Sequence, residues 1–265
     1  MPRIETDDGV AIHYVTDGSS GRPPLVMSNS LASNLSMWDE EAVALSKHFF
    51  VVRYDARGHG ASDVPEGDYS LERLGLDVLN LMDALEIHRT AWCGLSMGGM
   101  VGMWVASHYP ERIERMALCN TSAHMPPKEL WDGRIRTARE GGMEVLCGPT
   151  LERWFTAPFR EDRANAERLD KVRRMVLTTP AAGYAGCCAA IRDMDQRETI
   201  GRIEADCLVL TGRNDPSTPP AASELIADRI HRARLHIIED CAHISNIEQP
   251  AAFHAAVIPF LARGA

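Results

Sequence analysis

The residues with the clearest chemical pattern form the sequence GLSMG at positions 94–98, a G-x-S-x-G motif centred on Ser96. An apolar run, TAWCGL, leads into the motif and predicts a buried strand, and the apolar stretch after it predicts a helix. In this context the glycines allow a sharp turn that exposes the serine hydroxyl where the helix begins. Ser96 is therefore a candidate nucleophile for acyl transfer, and the alternative is a serine in an ordinary tight turn.

A serine hydroxyl is a weak nucleophile at neutral pH and needs a base beside it. Two later segments, each just past a predicted strand, supply candidates: Asp215 lies in TGRNDPSTPP and His243 in DCAHISNIEQP. The chain order serine, acid, histidine is typical of α/β-hydrolases. We predict that Ser96 is the nucleophile, His243 the general base and Asp215 the acid that orients the histidine.

Two other residues compete for these roles. His59, in the sequence DARGHG at 55–60, follows an inner strand within a turn-rich loop, and we interpret that loop as a structural support of the site. Asp240 is the rival acid, but it is too close in sequence to His243 to be its obvious partner. We therefore prefer Asp215 and His243.

Acyl transfer also requires hydrogen-bond donors for the oxyanion that forms during attack. One donor is expected to be the backbone N–H of Met97, which directly follows the candidate nucleophile. The other is expected in the loop after the predicted strand at 24–29, and its position favours the N–H of Leu31.

Alternating strands and helices must position these residues. Short runs that are apolar on both faces predict buried strands, and amphipathic stretches such as 71–87 predict helices between them. The segment 10–16 alternates apolar and polar residues after a turn, which predicts an antiparallel hairpin at the sheet edge. The remaining predicted strands cover 24–29, 49–55, 90–95, 115–120, 207–212 and 234–239. This pattern predicts an α/β-hydrolase fold, with a mainly parallel eight-stranded sheet flanked by helices.

The alternation breaks for roughly eighty residues after Asn120, where helical periodicity continues without a convincing strand. We interpret residues 122–196 as a helical lid inserted into a core domain made of residues 1–121 and 197–265. The predicted lid helices cover 127–146, 161–178 and 180–192. We expect the lid to pack over the edge of the sheet where its strands end, because open α/β sheets bind ligands there.

The composition of the 265 residues is typical of folded globular proteins, with 45% hydrophobic and 25% charged residues. The net charge of −9 disfavours nucleic acid and anionic membrane as partners. Because the sequence has no secretory signal and no apolar run long enough to span a bilayer, we expect a cytoplasmic protein. The seven cysteines form no matched C-x-x-C pairs, so we expect no metal site. The sequence leaves the oligomeric state open.

Several stretches closely resemble the 3-oxoadipate enol-lactonases of the bacterial β-ketoadipate pathway. They are SNSLASNLSMWD, VVRYDARGHGASD, CGLSMGGMVG, GYAGCCAAIRDMD and CAHISNIEQP. GLSMGG and RYDxRGHG also recur among esterases and cofactor-free haloperoxidases, whereas NSL in the oxyanion loop and AGCCAAIRDMD in the insert are more specific. The resemblance runs from about residue 10 to the end. Ala32 and Asn34 depart from the family, which usually has glycine and a short acidic residue there.

The resemblance implies hydrolysis of 3-oxoadipate enol-lactone to 3-oxoadipate, without a metal or organic cofactor. This small-molecule substrate carries a free carboxylate, which a protein of charge −9 repels at long range. A local cation must therefore compensate, and Arg134 and Arg192 in the insert are candidates for a bidentate pair. Trp131 and Trp154 are candidate apolar walls. The alternative is that these arginines are solvated charges on helix faces.

Two other functions compete with the lactonase hypothesis. A carboxylesterase, or a carbon–carbon bond hydrolase acting on a ring-cleavage product, would use the same triad. A ligand receptor built on the same fold is a third possibility, but a binding protein has no need of Ser96 in a complete G-x-S-x-G turn. The fold alone does not decide among these functions.

Overall fold

A mainly parallel sheet of eight strands forms the centre of the computed structural model, which describes residues 2–263. The strands lie in the order β1-β2-β4-β3-β5-β6-β7-β8, and only the pairs β1–β2 and β2–β4 are antiparallel. The strands are β1 (Arg3–Glu5), β2 (Ala11–Asp17), β3 (Pro24–Ser28), β4 (Phe50–Tyr54), β5 (Thr90–Leu95), β6 (Ile113–Cys119), β7 (Asp206–Gly212) and β8 (Ala233–Ile238). The predicted fold class is confirmed.

Helices cover both faces of the sheet, which is why the inner strands are apolar on both sides. Every residue of β5 is buried, and β3 is buried from its second residue onward. The helices are α1 (Asp39–Leu45), α2 (Leu71–Ala84), α3 (Met97–His108), α4 (Lys128–Trp154), α5 (Ala157–Glu161), α6 (Ala166–Thr178), α7 (Ala181–Asp193), α8 (Pro220–Arg229), α9 (Ser245–Glu248) and α10 (Pro250–Leu261). Within residues 2–263, no helix has the length and apolar character needed to cross a membrane.

Four helices, α4 to α7, lie between β6 and β7, in the segment predicted as the lid. Helix α4 kinks at Gly142, where φ is 71°, and continues to Trp154, well beyond the predicted end at 146. Helix α6 begins later than predicted because the side chain of Asp162 accepts a hydrogen bond from Ala164 N and starts a separate turn. Helix α7 matches its prediction within a residue at each end.

Helix α7 packs directly against the DARGHG loop at 55–60. A Cβ atom placed on Gly58 would lie 2.5 Å from Gly183 Cα, so only glycines allow the two backbones to approach this closely. A Cβ on Gly186 would lie 2.7 Å from the ring of Tyr69. The glycines of the GYAGCC stretch therefore allow α7 to pack closely against the 55–60 loop and Tyr69.

Candidate active site

Ser96 lies in a strained turn between β5 and α3. Its backbone has φ 56° and ψ −116°, a conformation that residues with a Cβ rarely adopt. The Ser96 N–H donates to Cys119 O at 2.9 Å, which holds the turn against β6. A Cβ atom on Gly98 would lie 2.0 Å from Ser28 O, so the turn needs glycine there. The local geometry is that of a nucleophile elbow.

Asp215 and His243 lie side by side in loops that follow β7 and β8. His243 Nδ1 is 2.8 Å from Asp215 Oδ2, and both residues are buried. The other carboxylate oxygen, Oδ1, accepts hydrogen bonds from the backbone N–H groups of Ser217 and Thr218 at 2.8 and 3.0 Å. The acid is therefore fixed by its own loop and is directed at the histidine ring.

Asn120, at the end of β6, adds a further donor to this carboxylate. Its Nδ2 atom donates to Asp215 Oδ2 and to Ala242 O, both at 3.0 Å. Burial alone raises the pKa of Asp215, but the charge and hydrogen bond of His243, together with the Asn120 and Thr218 donors, hold it below its ordinary value. Asp215 therefore remains an acceptor for the Nδ1–H of His243.

The two expected oxyanion donors lie at the start of α3 and in the loop after β3. Met97 is the first residue of α3, and the side chain of the preceding N-cap residue, Ser96, forms no capping hydrogen bond. The Met97 N–H group has no intrahelical acceptor, because it lies in the first turn of the helix. Leu31 and Ser96 line the same cavity, which places the second loop beside the nucleophile.

A narrow cavity of about 40 Å³ lies between the elbow and helices α4 and α7. Ser96 and His243 line it, together with three of the four predicted lid residues, Trp131, Arg134 and Trp154. Arg153 and Tyr184, which sequence reasoning missed, line it as well. A larger cavity of about 710 Å³ lies nearby, but it contains none of Ser96, Asp215 and His243. The candidate nucleophile and the candidate base therefore both lie at the smaller cavity.

Arg192 does not reach this cavity. Its guanidinium pairs with the partly exposed carboxylates of Asp132, Asp68 and Asp193 at 3.0, 3.3 and 2.6 Å. These hydrogen bonds raise the pKa of Arg192 above its ordinary value. The sequence hypothesis that Arg192 contacts the substrate therefore finds no support, because α7 directs this side chain away from Ser96.

Arg134 and Arg153 are different, because neither forms an ion pair with a carboxylate of residues 2–263. Arg134 stacks over the ring of Trp131, 4.5 Å from its centroid, and Arg153 donates to Thr150 Oγ1 at 3.1 Å. Burial and then repulsion by Arg134 lower the pKa of Arg153. Two like charges that repel each other across one cavity favour an anionic ligand.

The end of α4 is also hydrogen-bonded to the loop that carries His243. Trp154 O accepts from the N–H groups of His243 and Ile244 at 3.1 and 3.2 Å. The buried carboxylate of Glu248 accepts from Ala242 N at 2.6 Å and from Thr156 N at 2.8 Å. The end of α4 and the histidine loop thus form one hydrogen-bonded unit.

The rival residues lie elsewhere. His59 is buried beside α7 and accepts a hydrogen bond from Ala32 N at 3.0 Å, so it contacts the loop after β3. Asp240 lines the larger cavity, and its carboxylate is not among the hydrogen-bond partners of His243 in the part of the chain that the structure describes. Neither rival takes the place of Asp215 or His243 as a candidate triad residue.

Comparisons with known proteins agree with this geometry. Residues 23–250 match the family model of the alpha/beta hydrolase fold. The chain is 40% identical to 3-oxoadipate enol-lactonase 2 of Acinetobacter baylyi, over 95% of this chain and 93% of the relative. The crystal structure of the enol-lactonase from Burkholderia xenovorans is 43% identical and has a TM-score of 0.95, covering 98% of this chain and 99% of that one. This chain belongs to the 3-oxoadipate enol-lactonase family.

As a member of the enol-lactonase family, the chain is a serine hydrolase that acts on lactone esters. The same family includes 3-oxoadipate enol-lactonase 1 of Acinetobacter baylyi, which is 34% identical over 94% of this chain and 92% of the relative. Four residues that help to build the site of this enol-lactonase family member escaped sequence reasoning: Asn120, Arg153, Tyr184 and Glu248. Asn120 is the last residue of the predicted strand at 115–120, and Arg153 precedes the predicted wall residue Trp154, so the sequence position of each gave a weak indication.

Proposed function

We propose that this protein hydrolyses 3-oxoadipate enol-lactone to 3-oxoadipate, with Ser96 as nucleophile, His243 as general base and Asp215 as the orienting acid. The observation that carries the proposal is the pair of arginines, Arg134 and Arg153, in the same cavity as Ser96 and His243. A lactone with a free carboxylate needs a cation near the nucleophile, whereas a neutral ester does not. The pair supports the carboxylate-bearing substrate over a simple ester.

In the acylation step, His243 accepts the Ser96 hydroxyl proton while the oxygen attacks the lactone carbonyl carbon. The N–H groups of Leu31 and Met97 stabilise the oxyanion of the tetrahedral intermediate. Collapse of this intermediate breaks the ring carbon–oxygen bond. The leaving oxygen belongs to an enolate, which is a better leaving group than an alkoxide. The proton that His243 took from Ser96 passes to this leaving group, which becomes a ketone when the proton is on carbon, and His243 is neutral again.

In the deacylation step, His243 removes a proton from water, and the hydroxide attacks the acyl-Ser96 carbonyl. The second tetrahedral intermediate releases 3-oxoadipate and restores the serine hydroxyl. Asp215 keeps the proton of His243 on Nδ1 in both steps, so that Nε2 faces the reacting atoms. All of these steps use side chains and backbone of this chain, and none requires a cofactor.

Residues 122–196 act as the proposed lid, and they supply the substrate contacts rather than the reacting groups. Trp131 and Trp154 form apolar walls, and Arg134 and Arg153 bind the carboxylate. A cavity of about 40 Å³ has room for only a few water molecules, so side chains of the lid move when the lactone enters. The reaction belongs to the breakdown of aromatic compounds through the β-ketoadipate pathway.

The direct test is the initial rate of loss of the enol-lactone's ultraviolet absorbance, measured beside hydrolysis of p-nitrophenyl acetate. We expect efficient lactone turnover, slow ester cleavage, and a loss of about 10⁶ in kcat for Ser96→Ala. If the ester is cleaved and the lactone is untouched, the protein is a carboxylesterase and the lactonase proposal fails. If neither is cleaved, the ligand-receptor alternative gains support.

The arginine pair is tested by Arg153→Gln and Arg134→Gln, with Arg192→Gln as the matched lid control. Loss of one charge-assisted hydrogen bond costs about 1.5–3 kcal/mol, so we expect kcat/KM for the lactone to fall by about 10–100-fold. The same variants should leave p-nitrophenyl acetate hydrolysis within about threefold, because that ester has no carboxylate. An equal loss for both substrates would show that the arginines act on structure rather than on the carboxylate.

A further inference from the structure

We propose that His59 is a positioning residue that holds the oxyanion loop in its active conformation and links that loop to lid helix α7. The inference rests on the proposed use of the Leu31 N–H as an oxyanion donor. His59 does not line the cavity with Ser96, so its action passes through the backbone of the neighbouring loop.

The first observation is a single buried hydrogen bond. His59 Nε2 accepts from Ala32 N at 3.0 Å, and the His59 residue is only 1% exposed. The other ring nitrogen, Nδ1, lies 3.3 Å from Arg57 O, so it carries the proton and donates to that carbonyl. Burial lowers the pKa of His59, which agrees with a neutral ring that has one donor and one acceptor.

The second observation is the strained backbone conformation of Ala32, the residue whose N–H donates this hydrogen bond. Residues 30–33 form a turn in which Ser33 N donates to Ser30 O at 3.3 Å. Ala32 occupies the third position with φ 60°, and Leu31 is not among the residues with positive φ in the described part of the chain. This is the pattern of a type II turn, which favours glycine at the third position.

A side chain with a Cβ disfavours this conformation, and a flip of the Leu31–Ala32 peptide would relieve it. The flip would turn the Ala32 N–H away from His59 and leave a buried nitrogen acceptor without its donor. It would also change the backbone angles on the C-terminal side of Leu31, whose own N–H must face the oxyanion. His59 therefore stabilises the peptide orientation that the oxyanion loop needs.

The third observation is the contact between His59 and the lid. Cys187 Sγ of α7 lies 3.9 Å from His59 Nδ1, and the Gly58 and Gly183 backbones touch beside it. The same helix presents Tyr184 to the cavity. Helix α7 thus lines the cavity with Tyr184 and contacts the His59 ring with Cys187. The position of this lid helix is therefore coupled, through His59, to the conformation of the oxyanion loop.

The test compares three replacements of His59 that differ in whether an acceptor reaches Ala32 N. The amide oxygen of Gln can occupy the Nε2 position, whereas the Asn side chain is too short and Leu has no acceptor. We expect His59→Leu and His59→Asn to lower kcat by about 10–100-fold with KM within about threefold, because a displaced oxyanion donor acts on the transition state. His59→Gln should stay within about threefold of the wild type.

Both the enol-lactone and p-nitrophenyl acetate serve as substrates, because every acyl transfer uses the oxyanion donors. If the lactone is not turned over but the ester shows the His59 effect, the lactonase proposal fails and this inference stands. If the lactone is turned over and none of the His59 variants changes kcat, only this inference fails. His254→Gln, which changes a half-buried histidine on α10, is the control and should leave both rates unchanged.

A double-mutant cycle with Ala32→Gly measures how much of the His59 effect on kcat depends on the strained turn at Ala32. Glycine adopts positive φ without strain, so the loop should keep its conformation without help from His59. We expect His59→Leu to cost only about threefold in kcat in the Ala32→Gly background. An equal loss in both backgrounds would show that His59 does not act through this turn.

If His59→Leu does not fold, the comparison of His59→Asn with His59→Gln decides the question, and equal rates for those two would contradict the proposal.

Discussion

Two buried aspartate–histidine pairs with nearly the same geometry lie in this protein. In one pair, Asp215 Oδ2 is 2.8 Å from His243 Nδ1, and in the other, Asp55 Oδ2 is 2.7 Å from His13 Nδ1. The two pairs differ in what lies beyond the ring. His243 lines the cavity with Ser96, whereas Nε2 of His13 is buried without any hydrogen-bond partner among residues 2–263.

This difference shows that an orienting carboxylate does not by itself make a histidine a general base. The second pair joins β2 to the end of β4, where Asp55 also accepts hydrogen bonds from Leu35 N and Ala61 N. Its carboxylate therefore links the loops that follow β3 and β4 by hydrogen bonds. The first pair lies where two strand ends meet the elbow, and His243 lines the cavity with Ser96, so that pair is the one we propose for proton transfer to substrate.

The largest expected difference between the two pairs is in catalysis. Asp215→Asn should lower kcat by about 10⁴-fold, because the amide cannot hold the proton on His243 Nδ1. Initial rates on the lactone at neutral pH measure this loss, and circular dichroism checks that the variant is folded. A loss of less than tenfold would mean that Asp215 is not the orienting acid and that another group holds the histidine.

Glu248 sharpens the comparison, because it supports the loop of His243 and has no contact with His13. The Glu248 carboxylate accepts hydrogen bonds from the backbone N–H groups of Ala242 and Thr156, one on each oxygen. Because Gln has only one side-chain oxygen, one of these two N–H groups loses its acceptor in Glu248→Gln. We expect kcat to fall by about 10–100-fold through misplacement of the His243 ring. Glu41→Gln, which changes another buried glutamate, is the matched control and should stay within about threefold. An unchanged kcat in a less stable Glu248→Gln protein would assign Glu248 to folding alone.

The Asp55–His13 pair should affect stability more than rate. Asp55→Asn leaves buried donors without their acceptor, so we expect the free energy of unfolding to fall by about 3 kcal/mol. The rate of the folded variant should stay within about tenfold of the wild type. Urea unfolding and initial rates on the same preparation measure both quantities. A rate loss close to that of Asp215→Asn would contradict the structural role.

A third acid–histidine pair gives the smallest expected effect. His254 Nε2 lies 3.0 Å from Glu41 Oε1, and this hydrogen bond raises the pKa of His254 despite partial burial. Because the folded pKa is raised, the pair stabilises the protein fully below the unfolded pKa of about 6.5, and this contribution disappears as pH rises through the folded pKa. The difference in unfolding free energy between wild type and His254→Gln should therefore be larger at about pH 5 than at about pH 9. A difference that does not change with pH would mean that the pair is not charged in the folded protein.

The sequence by itself determined the sheet, the elbow and the order of the three catalytic candidates, because each depends on local pattern. Apolar runs of strand length predict buried strands, and a glycine-flanked serine between a strand and a helix predicts the turn. The loops that hold Asp215 and His243 follow predicted strands, and the ends of parallel strands meet at one edge of the sheet. No long-range contact has to be known for these predictions.

Only the tertiary structure decided which lid arginine faces the nucleophile. Arg134, Arg153 and Arg192 all lie on helices of the proposed lid, but the rotation of α4 and α7 directs two of them inward and pairs the third with outer carboxylates. Two other contacts likewise join residues far apart in the chain: the hydrogen bond of Ala32 N to His59 and that of Thr156 N to Glu248. Periodicity identifies the buried face of a helix, but the direction of one side chain depends on how neighbouring elements pack, which no local pattern contains.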